Sequence, residues 1–185
     1  MTLKALVVKN KTAVLDRWRE LIFRTYPPHT SKMLQRTSDR FNNPVGDAIR
    51  RETDRSFDAL LEGSPDPLSS DLFEDTVKIR SVQDFSPSQA VGFVFLLKQA
   101  IRERVADQLQ ENGVMTELLA LESRIDEVAL QVFDAYTRCR KKIHEIRTSE
   151  LKNHIALLQQ CLGPVQDSTS VRQRRAARSE GVTER

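Results

Sequence analysis

The sequence has few of the features on which most enzymes depend. Its six glycines are isolated along the chain, and no GxSxG, phosphate-binding P-loop or dinucleotide-binding GxGxxG motif occurs. The three histidines are His29, His144 and His154, and none has a metal-ligand spacing such as HExxH. We therefore predict no catalytic residue, no metal site and no cofactor, and we do not expect an enzyme.

Cysteines and long apolar runs are equally scarce. Cys139 and Cys161 lie in one predicted helix, about 33 Å apart along its axis, which excludes a disulfide between them. The longest apolar run, AVGFVFLL, is well short of the roughly 20 residues that a membrane-spanning helix needs. The opening MTLKALVVKNK has no signal-peptide cleavage pattern. These observations predict a cytoplasmic protein without membrane insertion.

The composition favours a single helical domain. The chain has 185 residues, of which 39% are hydrophobic and 30% charged, with 6 Gly and 7 Pro, and this balance is typical of an all-α protein. Its net charge of +3 comes largely from the arginines of residues 164–185. That segment has no aromatic residue for base stacking and almost no large apolar residue. We expect it to be a disordered basic tail, and we expect no nucleic-acid binding.

Apolar residues that recur every three or four positions predict the helices. The predicted helices cover residues 12–23, 31–36, 44–62, 70–83, 87–111 and 116–162. Asn43 is a suitable N-cap with Pro44 at the first helical position, and Ser86, Pro87 and Gln89 make a capping box at the start of the fifth predicted helix. We expect that helix to be continuous and buried, with Gly92 at a close helix crossing.

Six polar residues at the junction before this buried helix are a candidate ligand site. They are Arg80, Gln83, Asp84, Ser86, Ser88 and Gln89. A helix start with a nearby arginine can bind an anion. The alternative, which we favour, is structural: Arg80 pairs with Asp84 four residues later, and capping occupies Ser86 and Gln89.

The last predicted helix changes its apolar spacing along its length. Its first half has a broad apolar stripe, whereas Leu151, Ile155, Leu158 and Leu162 make a narrow two-in-seven seam. We therefore predict a helical bundle at residues 1–146, an extension of the last helix at 147–163, and the tail at 164–185. The seam predicts an arm that pairs with a second copy in a homodimer.

Four motifs together resemble one known family. They are LDRWRELIFRTYP, DRFNNPVGDAI, IRSVQDFSPSQAVGFVFLLK and FDAYTRCRKKIHEIRTSELK. Over roughly residues 5–160 the chain resembles the RsbRD-type N-terminal sensor domain of RsbT co-antagonist proteins. The resemblance implies an all-α, globin-like dimeric sensor without haem, as found in stressosome proteins, that signals along its last helix. The matching positions are Trp18, Tyr26, Phe41, Asn43, Pro44, Arg80, Gln83, Asp84, Pro87, Ser88, Phe93 and Lys98.

The resemblance also shapes what we expect of partners and ligands. Members of the family carry an output domain after the last helix, whereas this sequence continues into a short polar tail, so we expect a separate regulatory or redox protein as the output partner. No histidine lies in the AVGFVFLL helix or the helix before it, although a haem globin needs a proximal ligand in the core. The alternative function is a small-molecule or haem sensor, with a pocket formed by Phe93, Phe95, Leu96 and Leu97.

Overall fold

The protein is all-α. The structure is a computed structural model that describes residues 2–36, 41–62, 72–83, 85–106 and 113–162. These residues form eight α-helices and no strand, which confirms the predicted fold class, while the globin-like arrangement stays a prediction. In chain order the helices are α1 (Leu3–Lys9), α2 (Lys11–Arg24), α3 (Pro28–Arg36), α4 (Pro44–Glu62), α5 (Glu74–Val82), α6 (Pro87–Gly92), α7 (Leu96–Val105) and α8 (Val114–Leu162).

Most predicted helices are present, and one helix was not expected from the sequence pattern. α2, α4 and α8 closely match predicted segments. α1 has no predicted counterpart because it has only seven residues, too few for a clear helical period. Thr2 caps it by accepting a hydrogen bond from the Ala5 amide, and Leu6 and Val7 enter the core.

The start of α4 is built as the sequence predicts. The buried Asn43 side chain accepts a hydrogen bond from the Gly46 amide at 2.9 Å, and Pro44 occupies the first helical position. The Asn43 amide nitrogen also donates to the Leu34 carbonyl at 2.9 Å, near the end of α3. One side chain therefore starts α4 and fixes it against the preceding helix.

The predicted continuous helix after Pro87 is wrong. The capping box of Ser86 and Gln89 is present, but α6 ends at Gly92 and α7 begins at Leu96, with a turn between them. The expected close crossing at Gly92 is also wrong, since a Cβ added there would meet nothing within 4 Å.

The core is formed by buried apolar side chains from all eight helices. α2 packs against α3, α4 and α7. The predicted inward stripe of α8 is buried from Leu118 to Val132, and Ala135 and Cys139 extend it as half-buried residues. The core is therefore formed by residues that the helical spacing selects.

The chain divides into two units, residues 1–143 and residues 144–185. In the second unit, α8 continues to Leu162, and Leu151, Ile155 and Leu158 are 63%, 54% and 61% exposed. The predicted disordered tail, and the side chain of Leu162, lie outside the described residues. The arm therefore remains a prediction, with its first three apolar residues exposed in this chain.

Candidate functional site

One arginine among the described residues is fully buried. Arg80 lies on the inward face of α5 and has 0% of its surface exposed. Its guanidinium carbon lies 4.9 Å from the ring centre of Tyr26 and 4.8 Å from those of Phe85 and Phe93. We call Arg80 and these three rings the arginine cage. Each ring faces the cation within the distance at which cation–π attraction operates.

The polar partners of Arg80 come from two other elements. One terminal nitrogen donates to the Thr25 hydroxyl at 3.0 Å, at the end of α2, and the other donates to the Gln89 carbonyl at 2.9 Å, in α6. Among the described residues no carboxylate forms a salt bridge with Arg80. The predicted pair with Asp84 lies outside the described residues. Arg80 thus joins α2, α5 and α6.

Burial shifts the pKa values of two side chains in the cage. Burial lowers the pKa of Arg80, because a low-dielectric interior disfavours its charged form, and the neighbouring Tyr26 opposes this shift. Burial likewise raises the pKa of Tyr26, against the effect of the nearby Arg80 charge. The Arg80 Nε atom and the Tyr26 hydroxyl are buried without a hydrogen-bond partner among the described groups. Buried polar atoms without a hydrogen-bond partner are uncommon in folded proteins.

The cage is continuous with further aromatic rings. Phe73 meets Phe93 edge-on at 5.0 Å and Trp18 edge-on at 6.0 Å, measured between ring centres. The Trp18 indole nitrogen donates to the Phe93 carbonyl at 2.9 Å. A packed set of rings therefore extends from the Arg80 side chain to the middle of α2.

Two hydrogen bonds connect α8 to the surroundings of the cage. The Tyr136 hydroxyl donates to the Phe85 carbonyl at 3.3 Å, and Arg140 donates to the Ser81 carbonyl at 3.1 Å. Both acceptors belong to the segment from the end of α5 to the start of α6. A displacement of this segment would therefore act directly on α8.

The structure brings together four of the predicted positions and separates the others. Trp18, Tyr26, Arg80 and Phe93 meet at or beside the cage. The other described positions serve local roles at helix ends or on surfaces. Asn43 and Pro44 start α4, Pro87 and Ser88 start α6, Gln83 ends α5, Phe41 is 93% exposed, and Lys98 forms an ion pair with Asp126.

Some residues of the site were not selected from the sequence. Thr25 and Phe85 contact Arg80 directly, and Phe73 contacts its neighbouring rings. Phe85 precedes the Ser86 cap and suits a local staple at the helix start, and Thr25 resembles an ordinary helix-terminal threonine. Their roles depend on tertiary packing, which spacing alone does not predict.

A cleft of about 240 Å³ lies between α5 and α8 within the first unit. Its lining residues are Leu72, Phe73, Glu74, Val77, Val128, Gln131, Val132, Asp134, Ala135 and Arg138. The predicted pocket residues Phe93 and Leu97 are buried in the core, Leu96 is half-buried, and Phe95 is exposed. Phe73 connects the cleft to Phe93, because it lines the cleft and contacts that ring.

The described part of the chain lacks two further kinds of feature. It contains no group of three or more His, Cys, Asp or Glu side chains placed to hold a metal ion. It also contains no helix with the length and apolar character needed to cross a membrane.

Comparison with known proteins assigns the chain to a family. None of the curated proteins and none of the solved structures matches the sequence significantly. A family model described as the RsbT co-antagonist protein rsbRD N-terminal domain matches residues 12–151. This match confirms the resemblance drawn from the four motifs and includes every residue of the arginine cage. The chain therefore belongs to the RsbT co-antagonist protein rsbRD N-terminal domain family, a family of signalling sensor domains.

Proposed function

We propose that this sensor domain is a non-catalytic adaptor that acts through protein–protein contacts in the cytoplasm. In this proposal, a signal changes the packing around the arginine cage, and α8 carries the change to a separate regulatory or redox protein. The hydrogen bonds from Tyr136 and Arg140 support this route, because they connect α8 directly to the segment from the end of α5 to the start of α6. A two-state change in packing is a common way for such domains to signal.

We further propose that the protein is a homodimer paired through the distal part of α8. The observation that carries this proposal is the exposure of Leu151, Ile155 and Leu158 on one helical face. Large apolar side chains at this spacing are typical of a coiled-coil seam. Pairing with a second copy would remove their apolar surface from water.

Replacing two seam residues by charged ones tests the dimer. We expect Ile155→Asp combined with Leu158→Asp to give a folded monomer, because each carboxylate would be placed in the apolar interface. Sedimentation velocity measures the mass, and circular dichroism checks that the helical content is retained. A dimer of unchanged stability in this variant would contradict the proposal.

The matched control places the same charges on the opposite helical face. Asn153 and Gln160 are exposed, and at 100° per residue they lie on the far side of α8 from Ile155 and Leu158. We expect Asn153→Asp combined with Gln160→Asp to remain dimeric. Dissociation of this control would show that added charge alone, rather than its position, separates the subunits.

A second candidate function is the sensing of a small molecule in the cleft between α5 and α8. The specific observation in its favour is Phe73, which lines the cleft and contacts both Phe93 and Trp18. An occupant of the cleft would therefore press on rings that reach Arg80. The buried lining residues Phe73, Val77 and Val132 favour a ligand with an apolar body.

Filling the cleft tests this second function. We expect native mass spectrometry of the purified protein to detect a bound small molecule, and Ala135→Phe to abolish its binding by occupying the cleft. Haem titration is the parallel measurement for the haem alternative. A protein without added mass, without haem uptake and without a thermal shift across a metabolite panel would contradict ligand sensing.

A further inference from the structure

The break between α6 and α7 has a regular hydrogen-bond pattern. Across it, four amides donate to the carbonyl three residues earlier, as in a 3₁₀-helix, rather than four residues earlier as in an α-helix. The pairs are Val94 to Val91 at 3.1 Å, Phe95 to Gly92 at 3.2 Å, Leu97 to Val94 at 3.2 Å and Lys98 to Phe95 at 3.1 Å. The segment is therefore a short 3₁₀ insertion between two α-helical pieces.

The local sequence does not require this insertion. Residues 88–105 contain no proline, and Gly92 has neither a positive φ nor a close neighbour. Phe93 and Phe95 keep right-handed helical dihedral angles. A continuous α-helix from Pro87 to Val105 is thus compatible with the local sequence, and the insertion must be imposed by contacts with the rest of the fold.

Two buried side chains from other helices make these contacts. In a continuous helix the Phe93 carbonyl would accept from the Leu97 amide, but here that amide donates to Val94 and the Trp18 indole takes the Phe93 carbonyl at 2.9 Å. Arg80 donates to the carbonyl of Gln89, one turn earlier, at 2.9 Å. Trp18 and Arg80 therefore hold the backbone on either side of Gly92.

We propose that this 3₁₀ insertion is the switch element of the domain, held in its broken form by Trp18 and Arg80. Its alternative form is a continuous α-helix in which Leu97 donates to Phe93 and the indole loses that acceptor. The two forms differ by only one residue of hydrogen-bond register, so few dihedral angles change. The proposal concerns the insertion itself and holds whether or not the protein forms a dimer.

The change of form would move α7 relative to α6. A 3₁₀-helix turns about 20° more per residue and rises about 0.5 Å more than an α-helix, so three residues give roughly 60° of rotation and 1.5 Å of length. α7 forms ion pairs with α8 from Lys98 to Asp126 at 2.6 Å and from Arg102 to Glu122 at 2.6 Å. A rotation of α7 would therefore strain or exchange both ion pairs, which transmits the switch to α8.

Removal of the indole donor tests the switch by NMR on the full, isotope-labelled chain. The wild-type protein is expected to show Hα–HN contacts between residues i and i+2 over residues 92–97, which are characteristic of a 3₁₀-helix. We expect Trp18→Phe, which keeps an aromatic ring but has no N–H, to lose these contacts and gain i to i+4 contacts from Gly92 to Leu96 and from Phe93 to Leu97. Leu34→Val, in the core of α3, is the control and should keep the wild-type pattern.

Each outcome decides the proposal. A folded Trp18→Phe variant that keeps the i to i+2 pattern would overturn it, because the insertion would then not depend on the indole. If Trp18→Phe does not fold, the same i to i+2 and i to i+4 contacts are measured in Arg80→Met, and the same criterion applies. If neither folds, relaxation dispersion on the wild-type amides of residues 93–98 decides: millisecond exchange supports the switch, and its absence overturns it.

Discussion

Arg80 shows how little of a residue's environment its neighbours in sequence reveal. The sequence places it four residues before Asp84 at a polar junction, a spacing that suits an ion pair between the two side chains. In the structure its hydrogen-bond partners are Thr25 and Gln89, 55 and 9 residues away. Because burial of a charge costs several kcal/mol unless other groups compensate, its position requires contacts that only the folded chain provides.

Gly46 provides a prediction at the scale of one residue. A Cβ at this position would lie 2.3 Å from the side-chain nitrogen of Asn43, far inside van der Waals contact. Gly46→Ala would therefore displace Asn43 and weaken its bonds to the Gly46 amide and the Leu34 carbonyl. We expect a loss of about 2 kcal/mol in the free energy of unfolding, measured by urea titration.

The control for this prediction is Gly92→Ala. A Cβ there meets nothing within 4 Å, and alanine favours a helical backbone over glycine by up to about 1 kcal/mol. This variant should be at least as stable as the wild-type protein. Equal changes in the free energy of unfolding of the two variants would mean that the contact with Asn43 does not disfavour a side chain at position 46.

At the scale of an element, α5 depends on a cap from another helix. Its own N-cap residue, Phe73, makes no side-chain capping bond. Instead the buried Glu52 carboxylate of α4 accepts hydrogen bonds from the amides of Asp75 at 2.9 Å and Thr76 at 3.0 Å. Burial raises the pKa of Glu52, although its bonds with Thr76 and Asp75 act in the opposite direction. A cap of this kind has no local sequence signature.

The raised pKa of Glu52 predicts a pH dependence. Between its ordinary pKa of 4.5 and the higher pKa of the folded state, the folded protein binds more protons at Glu52 than the unfolded chain does. Its contribution to the free energy of unfolding therefore falls as the pH rises through this interval. Glu52→Gln lacks this pH-dependent contribution. We therefore expect the free energy of unfolding of the wild-type protein, relative to that of Glu52→Gln, to fall as the pH rises above 4.5 and then level off.

Urea titrations of both proteins across the acidic range measure this difference. Because all other titrating groups are shared, their contributions largely cancel in the comparison. Parallel stability curves for wild type and Glu52→Gln would contradict a raised pKa. A wild-type protein that instead loses stability relative to Glu52→Gln as the pH falls below 4.5 would indicate a lowered pKa.

At the scale of the whole molecule, the sequence predicts the helices better than their contacts. Capping residues and apolar spacing act over a few residues, so the starts of α4 and α6 and the buried stripe of α8 were predicted correctly. The α6–α7 break was not, because the Trp18 indole that holds it lies 75 residues away from its acceptor. The arginine cage was not predicted for the same reason, because its rings are brought together only in the folded chain.

The burial of Trp18 at the α6–α7 break makes this residue an intrinsic fluorescence probe of the break. Trp18 is the only tryptophan in the sequence, and it is fully buried. All indole fluorescence therefore comes from the one side chain that donates to the Phe93 carbonyl. Since indole emission responds to hydrogen bonding and polarity, its wavelength would follow the state of the break in unlabelled protein, in a stopped-flow cell or during the addition of a signal.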